Sequence, residues 1–178
     1  MSRAGAILGS ALFFVIAPFT LTVLVSLWLT GWRMQPPFGG LPLLRVIGAL
    51  LAIAGAVPLI ESFRRFAVEG LGTPAPIAPP QRLIVAGFYR YVRNPMYVGV
   101  VTVILGEALI LGDVRLLTYA AIVWFGFHIF VLAYEEPTLR DSYGAEYDMF
   151  RHNVPRWIPR FTPWTAIEDW RRERRESG

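Results

Sequence analysis

Residues 81–99, QRLIVAGFYRYVRNPMYVG, lie between two long apolar blocks and have the pattern of neither a membrane helix nor a plain linker. Pro95 disfavours the α conformation at Asn94, yet proline is well tolerated at the first position of a helix. The stretch therefore predicts a loop that ends at Asn94 and a helix that begins at Pro95. The free N–H groups and partial positive charge of that helix start would favour an anionic group such as a carboxylate.

The composition around this stretch indicates a single-domain membrane protein. Of 178 residues, 54% are apolar and only 17% are charged, and the apolar residues form runs too long for a soluble core. The chain has no cysteine, which excludes a disulfide, a thiolate nucleophile and a cysteine-based metal site. Every basic residue is an arginine that borders an apolar segment, so we expect lipid headgroup contacts and no nucleic-acid partner.

Four apolar segments predict four membrane-spanning helices, at about residues 4–30, 41–60, 95–111 and 116–134. The first is expected to be a retained helix rather than a removed signal peptide, because no clear small-residue cleavage site follows it. With the N-terminus inside, only Arg33, Arg45 and Arg115 lie outside, which predicts that both termini are cytoplasmic. The predicted fold is an all-α integral membrane protein, one domain over residues 1–178, located in the cell (inner) membrane if bacterial.

Amphipathic helices are predicted after the fourth span, at the inner face. Residues 138–151 place four apolar side chains on one helical face: Leu139, Tyr143, Tyr147 and Phe150. Residues 154–160, VPRWIPR, are broken by prolines, and Thr162-Pro163 then signals a new helix start. Trp164, Ile167 and Trp170 form one apolar face of that last helix. Arginines follow this face, as in a helix that lies on anionic lipid.

Three acids and one histidine are the side chains most suited to chemistry. Glu135 and Glu136 end the fourth span, as solvated acids or as ligands for a cation; acids there oppose the helix dipole, which favours a ligand. His128 lies two turns before Glu135 on roughly the same face, as a polar contact between spans or as a catalytic base. Glu107 lies within the third span, where Arg115 or Arg45 could neutralise it, and we expect it to have a structural role or to line a lipid-facing cavity. Because no set of further ligands lies near His128, we expect no metal site there.

The tyrosines and the late arginines each admit two interpretations. Tyr89, Tyr91 and Tyr97 are either interface-belt aromatics or, beside the acid pair, an aromatic face for a sulfonium or ammonium cation. The arginines of the C-terminal part are expected to be headgroup anchors, with a clamp for a carboxylate or phosphate as the alternative: Arg151, Arg156 and Arg160.

In order along the chain, these segments resemble the integral-membrane methyltransferases related to isoprenylcysteine carboxyl methyltransferase and the phospholipid N-methyltransferases. The motif L-V-x-x-G-x-Y, then R-H-P-x-Y-x-G, corresponds to residues 83–89 and 93–99. An E-E pair, F-G-x-x-Y-x-x-Y and V-P correspond to residues 135–136, 143–150 and 154–155. The match covers residues 81–159. It departs at Asn94, where the family has histidine, and at Val131, where prenylcysteine enzymes have an arginine for the substrate carboxylate.

The resemblance implies S-adenosylmethionine as cofactor and an amphipathic or lipid acceptor that enters from the bilayer. By motif position, the cofactor site lies in segments 81–99 and 128–160 and has eleven residues: Gln81, Arg82, Leu83, Ile84, Tyr89, Asn94, Pro95, Met96, Tyr97, Glu135 and Glu136. His128 is the nearest candidate for a base. Two alternatives stay open at this point, an NADPH-dependent membrane sterol or lipid reductase with a similar R-H-P-x-Y segment, and a non-enzymatic membrane scaffold.

Overall fold

The fold was analysed in a computed structural model, which describes residues 15–68 and 83–167. A π-helical stretch, Val15–Leu24, runs into α1, Val25–Thr30. The longer helices come next as α2, Leu43–Val68, α3, Pro95–Leu111, and α4, Val114–Phe130. A π-helical turn, Val131–Glu135, joins α4 to α5, Glu136–Tyr143, and α6 is Ala145–Asn153. Short 3₁₀ turns lie at Phe38–Gly40 and Gly87–Arg90, and the described residues contain no strand.

Two stretches are long and apolar enough to cross a bilayer, Leu43–Arg65 and Val114–Tyr143. Only 17% of the most apolar window in each is buried within the protein, so neither is the enclosed core helix of a soluble domain. Ile16–Thr30 and Pro95–Leu111 are apolar but shorter. The all-helical prediction is confirmed for the described residues; the first predicted span begins at residue 4, outside them.

Helix α2 extends beyond the predicted second span, which was placed at residues 41–60. Glu61 pairs with Arg64 and with Arg65, each at 2.7 Å, at spacings of three and four residues. Such pairs stabilise consecutive helical turns. The chain therefore stays helical past residue 60, where the predicted span ends.

Among the described elements, helices α2 and α3 pack most extensively, through glycines on both sides. A Cβ built on Gly106 would lie 2.6 Å from the backbone oxygen of Gly48, and one on Gly55 would lie 2.7 Å from that of Gly99. These distances leave no room for a methyl group, so the two backbones are in direct contact. We call this surface the glycine seam, a close approach of the kind that small residues permit between membrane helices.

The seam sets the position of an apolar core that α4 completes. Its buried side chains come from all three long helices: Leu59, Phe63, Val100, Ile104, Ala108, Leu116, Ala120 and Val123. A second core joins the start of the second described range to α6 and to the segment after α6: Leu83, Val85, Tyr147, Phe150, Val154, Trp164 and Ile167. The end of the helical bundle where α2 ends, α3 begins and α4 ends carries this second core, and we call it the site end.

Two sequence predictions for the C-terminal part are corrected. Residues 138–151 form two helices rather than one, because Gly144 has φ 52° and ψ −125°, a conformation that L-residues rarely adopt. The apolar face nevertheless holds, since Tyr147 and Phe150 are both buried. Trp164 and Ile167 pack into the protein rather than onto lipid, because the second core covers them. Trp170 lies outside the described residues.

Candidate functional site

Two motif segments far apart in the sequence meet at the site end. The Tyr97 hydroxyl on the first turns of α3 donates a hydrogen bond of 2.8 Å to Glu135 Oε2, at the end of the π turn after α4. The Tyr97 ring also stacks on Phe127, with 4.4 Å between ring centroids. The ring therefore ties α3 to α4, and the hydroxyl ties α3 to the π turn that follows α4.

The π turn Val131–Glu135 decides which face Glu135 occupies. In a regular α-helix, residues seven apart lie within about 20° of one another, so Glu135 would lie above His128. A π turn takes up one extra residue, and Glu135 instead lies above Phe127, eight residues earlier. Its contact with Tyr97, which also stacks on Phe127, reflects this shift. The expectation that His128 and Glu135 share a face is corrected, because it assumed an unbroken α-helix.

His128 belongs to a separate aromatic cluster at the surface. Its Nδ1 accepts a hydrogen bond of 3.1 Å from the Trp157 indole N–H. Trp124 stacks on the imidazole at 5.3 Å and tilts against Trp157 at 6.3 Å. With Nδ1 accepting, the neutral imidazole carries its proton on Nε2 and is a donor there. A role for His128 as a base requires this arrangement to change.

Tyr89, in the 3₁₀ turn before α3, is buried at the same end of the bundle. Burial, and then the nearby charge of Glu135, raises the pKa of Tyr89 well above its ordinary value. The hydroxyl therefore stays protonated at neutral pH and keeps a hydrogen-bond donor within electrostatic reach of Glu135.

The start of α3 has the predicted form. Pro95 is the first helical residue and Asn94 precedes it with φ −120° and ψ 57°. The Asn94 side chain does not cap the helix. Its amide nitrogen donates a hydrogen bond of 3.2 Å to the backbone oxygen of Arg156. Met96 packs against the main apolar core. The helix start thus keeps its partial positive charge, while Asn94 connects it to the C-terminal segment.

Glu136 has a different set of partners from its neighbour Glu135. Its Oε1 accepts from Arg93 Nη1 at 2.8 Å and from Arg156 Nε at 2.6 Å, and its Oε2 accepts from Arg156 Nη2 at 3.0 Å. The side chains of Arg93 and Glu136 are each only 10% exposed. Burial, and then the charge of Glu136, raises the pKa of the neighbouring Tyr147 to about 12. Glu136 is therefore the shared counterion of Arg93 and Arg156 and accepts hydrogen bonds from both guanidinium groups.

The C-terminal segment is also tied by its backbone to the loop before α3. Three hydrogen bonds, each 2.9 Å, run from Arg93 N to Pro155 O, from Arg160 N to Tyr91 O and from Trp164 N to Arg90 O. Residues 155–164 therefore lie alongside residues 90–93. The sequence pattern had placed Arg156 and Arg160 as headgroup anchors, and only the fold reveals that Arg156 clamps Glu136.

The remaining predicted site residues have mixed positions. Leu83 is buried in the second core, and Ile84 is half-buried beside it. Gln81 and Arg82 lie outside the described residues. The residues that sequence reasoning missed are Phe127, which stacks on Tyr97, and Trp157, which binds His128. The aromatic side chains of Phe127 and Trp157 were the only indication in the sequence, and an aromatic residue at either position is equally typical of a side chain that faces lipid.

The intramembrane acid Glu107 is separate from the site end. Its Oε2 accepts a hydrogen bond of 2.6 Å from Ser26, which joins α1 to α3. Neither predicted partner neutralises it: Arg115 pairs with Asp113 at 2.6 Å, and Arg45 donates to the backbone oxygen of Gln35 at 2.9 Å. Glu107 is thus a link between helices, in line with the structural role considered for it.

The helices that build the site end are similar in sequence to known proteins. Residues 43–146, more than half of the chain, match the phospholipid methyltransferase family. The protein-S-isoprenylcysteine O-methyltransferase of Schizosaccharomyces pombe is 36% identical over 78 residues, which cover 43% of this chain. The same stretch spans only 33% of that relative's length. The family match includes the whole of α2, α3 and α4 and both members of the Tyr97–Glu135 bond, and on that extent this chain belongs to the phospholipid methyltransferase family.

Proposed function

We propose that this chain transfers a methyl group from S-adenosylmethionine to a lipid, lipidated or small apolar acceptor at the cytoplasmic face of a membrane. The observation that carries the proposal is the 2.8 Å hydrogen bond between Tyr97 and Glu135, because it joins the two motif segments of the family. Family membership supports methyl transfer, and two helices long enough to cross a bilayer support a membrane setting.

The residues around this bond suit a sulfonium amino-acid cofactor. The start of α3 offers partial positive charge for its carboxylate. Glu135 offers a carboxylate for its ammonium or ribose hydroxyl groups, and the Tyr97 ring offers an aromatic face for a cation. Bound there, the cofactor would supply an activated methyl group. Residues 81–84 and Asn94–Met96 would complete the cofactor site, as the motifs imply.

The protein's own contribution would be positioning and exclusion of water. In-line transfer requires the acceptor atom at about 3 Å from the methyl carbon. The Tyr97–Phe127 stack and the buried Tyr89 give the site rigid apolar walls that limit access of water. Glu136 would act by holding Arg93 and Arg156 rather than by contact with the cofactor. His128 stays the candidate base, provided that it exchanges its bond to Trp157.

Cofactor binding tests this proposal directly. Tyr97→Phe removes the central hydrogen bond and Glu135→Gln removes the negative charge of its acceptor, and a bond to a charged group is worth about 1.5–3 kcal/mol. We expect the Kd for S-adenosylmethionine, measured by titration calorimetry in nanodiscs, to rise at least about tenfold in each variant. Tyr134→Phe and Asp141→Asn change an exposed tyrosine and an exposed acid nearby, and should leave the Kd unchanged.

The acceptor is tested in the same preparation. The purified protein, incubated with methyl-labelled cofactor and membrane lipid extract, is expected to yield a labelled lipid detectable by mass analysis. Failure of the intact protein to bind the cofactor, or equal affinity in both site variants, would contradict the proposed site.

We also propose four membrane crossings with both termini on the cytoplasmic side. The support is the distribution of arginines and the apolar character of all four helical segments. Because the chain has no cysteine, each introduced cysteine is unique. Met34→Cys should react with an impermeant maleimide on intact cells, whereas His152→Cys should react only after permeabilisation. The reverse pattern would invert the orientation.

A further inference from the structure

The segment between α6 and Trp164 is irregular but fixed in place. It contains Pro155, Pro159 and Pro163 and has no helical turns until after Trp164. The hydrogen bond from Arg160 N to Tyr91 O and the two flanking backbone bonds hold it against the loop before α3. The backbone of the segment is therefore held in place by these contacts.

This fixed segment presents two large apolar side chains outward. Ile158 is 79% exposed, and Phe161 is fully exposed, at 102% of its reference area. Val154 and Trp164, at the two ends of the same segment, are buried in the second core. A large apolar side chain left in water forgoes the free energy of its burial, so a pair held outward indicates an apolar partner.

The surface continues directly from a side of α4 that can face lipid. Trp157 donates its indole N–H to His128 and packs on Trp124, which is itself 41% exposed on α4. The stretch that includes α4 is one of the two long enough to cross a bilayer. The exposed apolar side chains therefore lie where the lipid-facing surface of α4 ends.

Two arginines, one before the apolar pair and one between its members, suit an anionic lipid surface. Arg151 is exposed on α6 and Arg160 is half-exposed within the segment. Arginines beside a membrane border are attracted to anionic headgroups. The backbone of an irregular segment cannot enter hydrocarbon without hydrogen-bond partners, which places it at the headgroup level with only its side chains deeper.

We propose that Trp157, Ile158 and Phe161 form a membrane-docking surface, with Ile158 and Phe161 inserted beneath the lipid headgroups and Arg151 and Arg160 at the phosphates. This inference goes beyond the proposed methyl transfer and does not depend on it. Since the same segment carries Arg156, which binds Glu136, the lipid surface would hold one flank of the site end in place.

Depth measurements with single spin labels test the docking surface. Because the chain has no cysteine, Ile158→Cys and Phe161→Cys each give one label, and His152→Cys on the exposed side of α6 is the control. The full chain is placed at one molecule per nanodisc, made of equal parts phosphatidylcholine and phosphatidylglycerol. Accessibility to oxygen, which concentrates in lipid, and to a water-soluble nickel complex is then measured.

Lipid docking predicts that labels at 158 and 161 are several-fold more accessible to oxygen than to nickel, with the opposite ratio at 152. Labels at 158 and 161 that are accessible to nickel would overturn the proposal, because the segment would then face water. Labels shielded from both agents would overturn it too, since at one molecule per disc another part of the same chain would cover the surface. Both measurements are independent of cofactor binding and of methyl transfer.

Discussion

The glycine seam and the site end join segments of the bundle by opposite means. In the seam, α2 and α3 touch backbone to backbone, and a Cβ on Gly106 would lie 2.6 Å from the backbone of Gly48. At the site end, side chains join α3 to the π turn after α4, through Tyr97 with Glu135, and the loop before α3 to the start of α5, through Arg93 with Glu136. The seam depends on shape alone, whereas the site end depends on charge and carries the candidate cofactor residues Tyr97 and Glu135.

The largest effect on stability is expected at the buried charges of the site end. Glu136→Gln leaves Arg93 and Arg156 without their shared counterion, and breaking a buried pair costs about 3–5 kcal/mol. Unfolding in mixed detergent micelles should report a loss of that size. Glu135→Gln, one residue away, should cost less because its partner is the neutral Tyr97. Equal losses for the two variants would contradict the separation of their roles.

The seam should respond to a single methyl group. Gly106→Ala places a Cβ 2.6 Å from the backbone nitrogen of Ala52, so the helices must move apart, at a cost of about 1–3 kcal/mol. Gly126→Ala is the matched control, since a Cβ there meets nothing within 4 Å. The control should keep or raise the melting temperature, because alanine favours a helix by up to about 1 kcal/mol over glycine. Similar melting temperatures for both variants would rule out the close approach.

An ion pair at the opposite end of the bundle should matter least. Asp113 caps α4 through Arg115 N at 2.9 Å and pairs with the exposed Arg115 side chain. Asp113→Asn keeps an acceptor for the cap but loses the charge, which should cost about 0.5–1 kcal/mol at neutral pH. Both acids are buried, but the Arg115 side chain is 54% exposed whereas that of Arg93 is only 10% exposed. The contrast with Glu136 would show that exposure of the partner arginine, rather than the presence of a pair, sets the energy.

The contribution of Asp113 to the free energy of unfolding is expected to fall as the pH is lowered. The side-chain hydrogen bond from Arg115 lowers the pKa of Asp113. Such a carboxyl stabilises the folded state fully above its unfolded pKa, about 3.9, and the stabilisation is lost as the pH falls through the lower folded value. The difference in unfolding free energy between the wild type and Asp113→Asn should therefore shrink below about pH 4. A difference that stays constant into acid would contradict this assignment.

Some features of the site could be predicted from a few neighbouring residues. Pro95 after Asn94 predicted the helix start because proline restricts its own backbone and that of the residue before it. The apolar face of residues 138–151 was predicted by helical spacing, yet the break at Gly144 was missed. Glycine permits that conformation without demanding it, so only the packing of Tyr147 and Phe150 on the second core reveals the break.

The sequence alone determined which segments are apolar enough for a membrane and where α3 begins. It also determined which polar residues interrupt or border those apolar segments. These depend on composition, periodicity and capping, which act over a few residues along the chain. Only the tertiary structure decided that Glu135 binds Tyr97 while Glu136 binds Arg93 and Arg156. The reason is that a π turn sets the direction of Glu135, and that segments dozens of residues apart choose partners by burial and distance, which the chain order does not specify.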